Sequence, residues 1–477
     1  FDDNGGLSPL NVSVALREFQ QQVLPAGFPT TTLWGYCDGS QPGTATCNNP
    51  AYTFEVTRNT PTTVTWKNEL VDAQGGFLPH VIKDANGDPV IDQTLHWAAP
   101  NGSVICDGLE VTDCRGVMPD AALPYTGPVP MVTHVHGAHV GPVSDGYPEA
   151  WWLPNANNLA GYATTGTFYD TAAPAAPGSA VYSYPNDQPS STLWFPDHPL
   201  GITRLNVYAA GAGFWLIREA DDGESGLVSG TLPGPAPVAG QDPNTNPAVR
   251  ATIREIPLAI QPKSFNLDGS QYFPAARAFF EGLGTGQVFA DNTGVNIPFL
   301  PQNTSDISPV WNPEAFFNTM VVNGKTWPVL EVAPERYRFR LLNAADSRFL
   351  NLAMFRVRGD GTINPSQELP FYQIGAEQSL LPQVVRIETG FATPLLGDGR
   401  DICTGNSGGR NPNCISAVPG TFAQQALLMG PSERADVIVD FTGLDDGTRV
   451  RIVNTGRDAP FGGFLDVPAD TATTGQV

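Results

Sequence analysis

The stretch TFEVTRNTPTTVTWKNEL, Thr53–Leu70, reads as two short strands separated by a turn. Side chains alternate sides along a strand, so Phe54 and Val56 share one face, and Val64 and Trp66 share one. Asn59–Pro61 supplies the turn residues between them. Much later, VLEVAPERYRFRLLNAAD, Val329–Asp346, repeats the pattern. Leu330 and Val332 alternate, Pro334 turns the chain, and Tyr337, Phe339 and Leu341 share a face. FEV…TWKN aligns with LEV…RLLN with one residue of slack, which suggests two copies of one β-sandwich.

Composition agrees with a mainly β chain. Of 477 residues, Gly 50 and Pro 45 make up about a fifth, and charged residues are only 15%. Apolar content is 41% and no periodic Gly pattern appears, so collagen-like and disordered chains are excluded. Short strands joined by Gly/Pro turns fit better than long helices. Helical pieces are expected to be short, at PAARAFFEGL near Ala275 and SVALREFQQQVL near the start. The net charge of -22 repels nucleic acid and anionic membrane alike. No apolar run is long enough to span a bilayer.

DDGESGLVSGTLPGPAPVAGQDPNTNPAVR, Asp221–Arg250, is polar, rich in Gly and Pro and without periodicity, as a linker or long loop would be. It divides the chain into a first domain over 1–220 and a second over 250–477, with a linker at 221–249. RVRIVNTG, from Arg449, reads as a late strand of the second domain, followed by a polar extension.

The six cysteines form three local couples: Cys37 with Cys47, Cys106 with Cys114, and Cys403 with Cys414. Each closes a short polar loop, and none has zinc-ribbon spacing. Three disulfides imply an oxidising compartment. FDDNGGLSPL at the start is not a signal peptide, so the expectation is an exported protein in its mature form: periplasmic, cell-surface or extracellular.

The chain has only six histidines, and three of them lie in THVHGAHV, Thr133–Val140. On a strand, His134 and His136 would point to one face with Cα atoms about 6.5 Å apart, wide for chelating one ion but suited to feeding two neighbouring metals. Gly137 then allows a bend or a close backbone approach. His139 would fall on the opposite face, and His80 and His96 have no nearby companions. WFPDHPLGITRLNVYAA, from Trp194, carries His198 beside Asp197, with Pro196 two residues before it.

THVHGAHVGPVSDGYPEAW resembles the first copper motif of multicopper oxidases, in the branch of spore-coat laccases and bilirubin oxidases. WFPDHPLGITRLNVYAA resembles that branch's second motif, which reads approximately WYHDH followed by TRLNVYAG. IQPKSFNLDGSQYFP, MVVNGKTWPVLEVAPERYRFRLLNA and GPSERADVIVDF resemble its middle domain. The similarity runs from about Tyr52 to the end of the chain.

The resemblance implies two tandem cupredoxin-like Greek-key β-sandwich domains. It makes His134 a ligand of the type 2 copper, His136 a ligand of one type 3 copper and His198 a ligand of the other. Asp145 matches an acidic residue that assists proton delivery during oxygen reduction. Pro196 occupies an expected histidine position, and proline has neither a lone pair for copper nor a backbone donor. The family's third domain, which supplies the type 1 copper and the other half of the ligands, has no counterpart in this chain. Blue-copper chemistry needs a thiolate with imidazoles, and no His-Cys-His arrangement is present.

The expected function is therefore part of a laccase-like oxidase, coupling one-electron oxidation of a small molecule or metal ion to reduction of O2 to water. It would be inactive as this chain alone, needing a third cupredoxin domain on a separate or cleaved segment. The alternative is a degenerate member with a structural or binding role and an incomplete copper site.

Overall fold

The computed structural model describes residues 1–3, 6, 8–82, 127–169, 175–210, 212–219, 232–238, 241, 246–273, 317, 319–388 and 427–454. Cys106, Cys114, Cys403, Cys414, His96, the PAARAFFEGL segment, most of the run 221–249 and the chain after Asn454 lie outside them.

The first seven strands are β1 (Leu10–Gln21), β2 (Thr31–Asp38), β3 (Phe54–Thr57), β4 (Thr62–Asn68), β5 (Ser179–Tyr184), β6 (Ser191–Phe195) and β7 (Gly213–Arg218). They make two sheets, one ordered β2–β1–β4–β5 and the other β3–β7–β6. Thr53–Leu70 does contain two strands, but β3 does not pair with β4. β3 lies parallel to β7, while β4 lies between β1 and β5 in the other sheet. The chain crosses between layers at the turn, where Asn59 takes a positive φ of 64°. The two apolar faces therefore meet across the core instead of lying side by side. Phe54 stacks on Trp215 at 4.4 Å, and Trp66 and Phe54 both reach Phe195, at 5.4 and 5.6 Å. All four rings are fully buried, and truncating such a ring costs about 3–5 kcal/mol.

Ser13–Gln21, expected as helix, is instead most of β1. It is paired on both sides, parallel to β4 and antiparallel to β2. Val14, Ala15, Leu16 and Arg17 are buried in succession. A strand covered on both faces loses the two-residue alternation that identifies it in sequence. Arg17 is accommodated by Glu69 at 2.7 Å and the Gly43 carbonyl at 2.6 Å.

The remaining strands are β8 (Glu255–Phe265), β9 (Gln271–Tyr272), β10 (Thr319–Val322), β11 (Lys325–Thr326), β12 (Arg336–Asn343), β13 (Leu350–Val357), β14 (Ile363–Leu369), β15 (Phe371–Ala376), β16 (Ser379–Ile387), β17 (Leu427–Met429), β18 (Arg434–Asp440) and β19 (Val450–Asn454). One sheet runs β11–β10–β8–β12–β18–β15–β16 with β9 on β8; the other is β14–β13–β17 with β19 on β13. The expected late strand is β19. Leu330 and Val332 belong to no strand: Val332 packs at the edge of the core, and Leu330 is 38% exposed. Tyr337, Phe339 and Leu341 on β12 do share a buried face.

The opposite face of β12 is not solvated. Arg338 and Arg340 are buried between the two sandwiches, paired with Asp436 and Glu255 at 2.5 Å each. Arg340 Nη1 also donates to Thr192 Oγ1 on β6 at 2.8 Å. Alongside lies an apolar seam of Trp194, Phe214 and Leu216 against Ala259, Leu342 and Ala344. This interface fixes β6, which leads directly into the second histidine segment. The fold is mainly β, with a single two-turn helix, α1 (Thr203–Ala210), among the described residues of the first half.

Candidate metal centre

PMVTHVHG is extended but does not form the regular strand expected of it. Its pairing is a series of isolated bridges, Met131 to Trp152, Thr133 to Asp197 and His136 to Trp194. The ladder fails for a local reason. The His134 N–H donates to the Pro196 carbonyl at 3.1 Å, but proline has no N–H to return the bond. Gly137, at φ 89°, then turns the chain away.

The surviving bonds still define the register. The His136 N–H donates to the Trp194 carbonyl at 2.8 Å, and the His198 N–H to the Val132 carbonyl at 2.7 Å. His136 thus lies opposite Trp194, His134 opposite Pro196, and Val132 opposite His198. Residues opposite one another in an antiparallel pair share a face, and so do residues two apart. His134, His136, Pro196 and His198 are therefore brought to one face. The ring centres of His134 and His198 are 4.9 Å apart, and those of His134 and His136 are 5.7 Å apart.

The loop after the first histidines sets the imidazole tautomers. His134 Nδ1 is 2.5 Å from the Asp145 carbonyl, and His198 Nδ1 is 3.1 Å from the Gly146 carbonyl. A carbonyl only accepts, so each Nδ1 carries the proton and each Nε2 keeps its lone pair outward. Among the described residues neither Nε2 has a hydrogen-bond partner, and the His136 ring has none. The loop can lie this close only because residue 146 is glycine. It has φ 76°, and a Cβ there would meet the Thr133 carbonyl oxygen at 2.2 Å. The spacing of the histidines gives no hint of this contribution, since two backbone carbonyls make it.

The electrostatics suit neutral imidazoles. Burial lowers the pKa of His136 to about 4, assisted by the Arg434 guanidinium and the other two histidines. Burial also lowers His134, against the opposing pull of Asp145. The Asp145 carboxylate is 33% exposed, with Oδ1 3.5 Å from His134 Nδ1. His139 lies apart from the three, its exposed ring 3.3 Å from Asp187. His80 is wholly buried against Trp34. Among the described residues no three His, Cys, Asp or Glu side chains close around a single metal position. Cys37 and Cys47 are disulfide-bonded, and among the described residues no helix is long and apolar enough to cross a membrane.

No family model matches the chain. It is 27% identical over 442 residues to a laccase of Bacillus subtilis, covering 93% of this chain and 56% of that protein. A laccase of Haloferax volcanii is 28% identical over 90% of this chain and 49% of its own length. The multicopper oxidase LPR1 homolog 1 of Oryza sativa subsp. japonica is 28% identical over 80% of this chain and 46% of its own. Among solved structures, the McoA multicopper oxidase of Aquifex aeolicus superimposes with a TM-score of 0.48 at 16% identity, over 95% of this chain and 58% of that one. The chain spans about half the length of the curated relatives it matches. By sequence, over nearly its whole length, the chain is a relative of the multicopper oxidases, laccases included.

Proposed function

We propose that this chain carries half of the ligand set of a laccase-like copper cluster, with His134 on the type 2 copper and His136 and His198 on the two type 3 coppers. The observation that supports it most is the pair of Nδ1 protons held by the Asp145 and Gly146 carbonyls, which leaves two Nε2 lone pairs open on one face. Imidazole with its second nitrogen fixed in this way is a common ligand for copper. Copper bound there would supply one-electron chemistry and the reduction of O2 to water, drawing electrons from a small-molecule or metal-ion reductant. Three positions on the face offer an imidazole to copper; the fourth, Pro196, offers no donor.

The chain's own residues bind, orient and handle protons. The 142–150 loop orients His134 and His198 through its carbonyls. Asp145 is the candidate proton-relay residue, its carboxylate partly open to solvent and 3.5 Å from the His134 ring. In this reading the remaining ligands and the type 1 copper would come from a third cupredoxin domain on a separate or cleaved segment. We take 1–220 and 250–477 as the two domains, joined by 221–249. Cys106–Cys114 and Cys403–Cys414 would be further disulfides, and the protein would be exported; the Cys37–Cys47 bond supports that compartment.

Intact mass, a denaturing gel and elemental analysis of the purified protein test the proposal together. Copper accompanied by a polypeptide bearing the missing histidines and cysteine is the expected result. A protein without copper, and without such a companion, would instead be a structural or binding relative whose site Pro196 has disabled.

A further inference from the structure

We propose that His80, Asn206 and Asp197 form a line of positioning residues that holds the two histidine segments in register where Pro196 breaks their ladder. The proposal deepens the copper-site reading and rests on it only for what the histidines finally hold; the positioning itself is a property of the metal-free chain.

Asp197 faces away from the histidine face and into the core, with no exposed surface. Its Oδ1 accepts from the Val132 N–H at 2.7 Å and from the His198 N–H at 3.1 Å. In a regular ladder the Val132 N–H would bond to the strand opposite. Here a side chain substitutes for the strand and ties the residue two before His134 to His198 itself.

Asn206 stands behind Asp197 on α1. Its Nδ2 donates to Asp197 Oδ2 at 2.5 Å and to the Pro130 carbonyl at 3.0 Å. Both acceptors need the amide nitrogen, so the Asn206 orientation is fixed, and its Oδ1 faces His80 Nε2 at 3.2 Å. An amide oxygen only accepts, so His80 must carry its proton on Nε2. His80 Nδ1 in turn accepts from the Ile82 N–H at 3.2 Å. Every donor in the line runs one way: Ile82 to His80, His80 to Asn206, Asn206 to Asp197. All three side chains are fully buried, so no bulk water replaces a lost partner, and an unpaired group there keeps its full desolvation cost. Trp34, whose ring centre is 4.4 Å from that of His80, seals the far end. The line acts on the histidines through backbone amides, and none of its members lies on the histidine face.

The test uses the full chain and three variants, His80→Phe, His80→Gln and Asn206→Leu. One readout is amide-resolved hydrogen exchange at Val132 and His198 without metal, with the β2 amides as a folding control. The other is titration with Cu(II) alone. Phe keeps the packing on Trp34 but removes the donor, while Gln restores an N–H near the Nε2 position. His80→Phe and Asn206→Leu should speed exchange at Val132 and His198 at least tenfold with β2 unchanged, and weaken Cu(II) by about 10- to 100-fold. His80→Gln should recover most of both. Unchanged exchange in His80→Phe, or a Gln variant as impaired as Phe, overturns the proposal. If Asn206→Leu does not fold, the His80 pair decides alone. If the parent chain binds no Cu(II), the copper reading fails, yet the exchange result still supports or overturns the positioning.

Discussion

Pro196 stands directly across from His134, its carbonyl accepting the His134 N–H at 3.1 Å, in the position on the histidine face that a fourth imidazole would fill. Pro196→His should therefore add a ligand beside His198. The replacement also restores an N–H able to reach the His134 carbonyl. Losing proline's restraint on the unfolded chain costs about 0.4–1 kcal/mol, and the new hydrogen bond returns about 0.5–1.5 kcal/mol. The melting temperature should barely move, while copper retained after dialysis, measured by elemental analysis, should rise. Equal copper in parent and variant would show that residue 196 does not face the metal.

Gly146→Ala tests the loop that sets the tautomers. Its Cβ would fall 2.2 Å from the Thr133 carbonyl at a φ of 76°. The left-handed conformation alone costs an alanine about 1–2 kcal/mol, so the loop should move away instead of absorbing the clash. Nitrogen-15 shifts of the His134 and His198 rings should then change from one fixed Nδ1–H form to a mixture of tautomers. Unchanged shifts would mean that the carbonyls of Asp145 and Gly146 are not what fixes them.

How much of this was legible in sequence depends on how far apart the partners lie. The period of two placed His134 with His136 and Pro196 with His198, because that rule needs only neighbours. The sheet exchange between β3 and β4 was not legible, since an arch and a hairpin share one alternation. Ser13–Gln21 looked helical because both its faces are covered, Val14 and Leu16 on one and Ala15 and Arg17 on the other, which erases the alternation. Arg338 and Arg340 alternate with apolar residues as a solvated face would, yet their partners Glu255 and Asp436 lie far along the chain and bury them. His80 stood alone because Asn206 is 126 residues away. The carbonyls of Asp145 and Gly146 leave no side-chain signal.

Glu255 should be a costly residue to neutralise. It is fully buried, accepting two bonds from Arg218, at 2.9 and 3.1 Å, and one from Arg340 at 2.5 Å. Glu255→Gln keeps the shape but leaves the buried guanidinium groups of Arg218, Arg338 and Arg340 with only two carboxylates, Glu55 and Asp436. Breaking a buried pair from one side costs about 3–5 kcal/mol. The urea midpoint should fall accordingly, and a change of a few tenths of a kcal/mol would show that water or Glu55 compensates.

Lys263 predicts an unusual pH dependence. Its ammonium, on β8, reaches across to the Tyr208 carbonyl at the end of α1, to Gln271 Oε1 at 2.7 Å and to the face of the Tyr208 ring at 4.6 Å. Gln261 holds the neighbouring Val207 carbonyl at 3.0 Å, so β8 caps the helix C-terminus from the other sandwich. These partners are favourable, but burial outweighs them and lowers the pKa from 10.5 to about 7. Between those values the unfolded chain holds a proton that the folded chain lacks, so this lysine makes stability rise with pH. From about pH 7 to 9.5 the gain should approach roughly 3 kcal/mol. Buried tyrosines such as Tyr36 and Tyr184, whose pKa burial raises, act oppositely only above their ordinary value of 10.0. Urea unfolding of the parent and of Lys263→Met across that window isolates the term. The parent's stability should climb relative to the variant's, and parallel curves would mean that Lys263 keeps its proton in the folded chain.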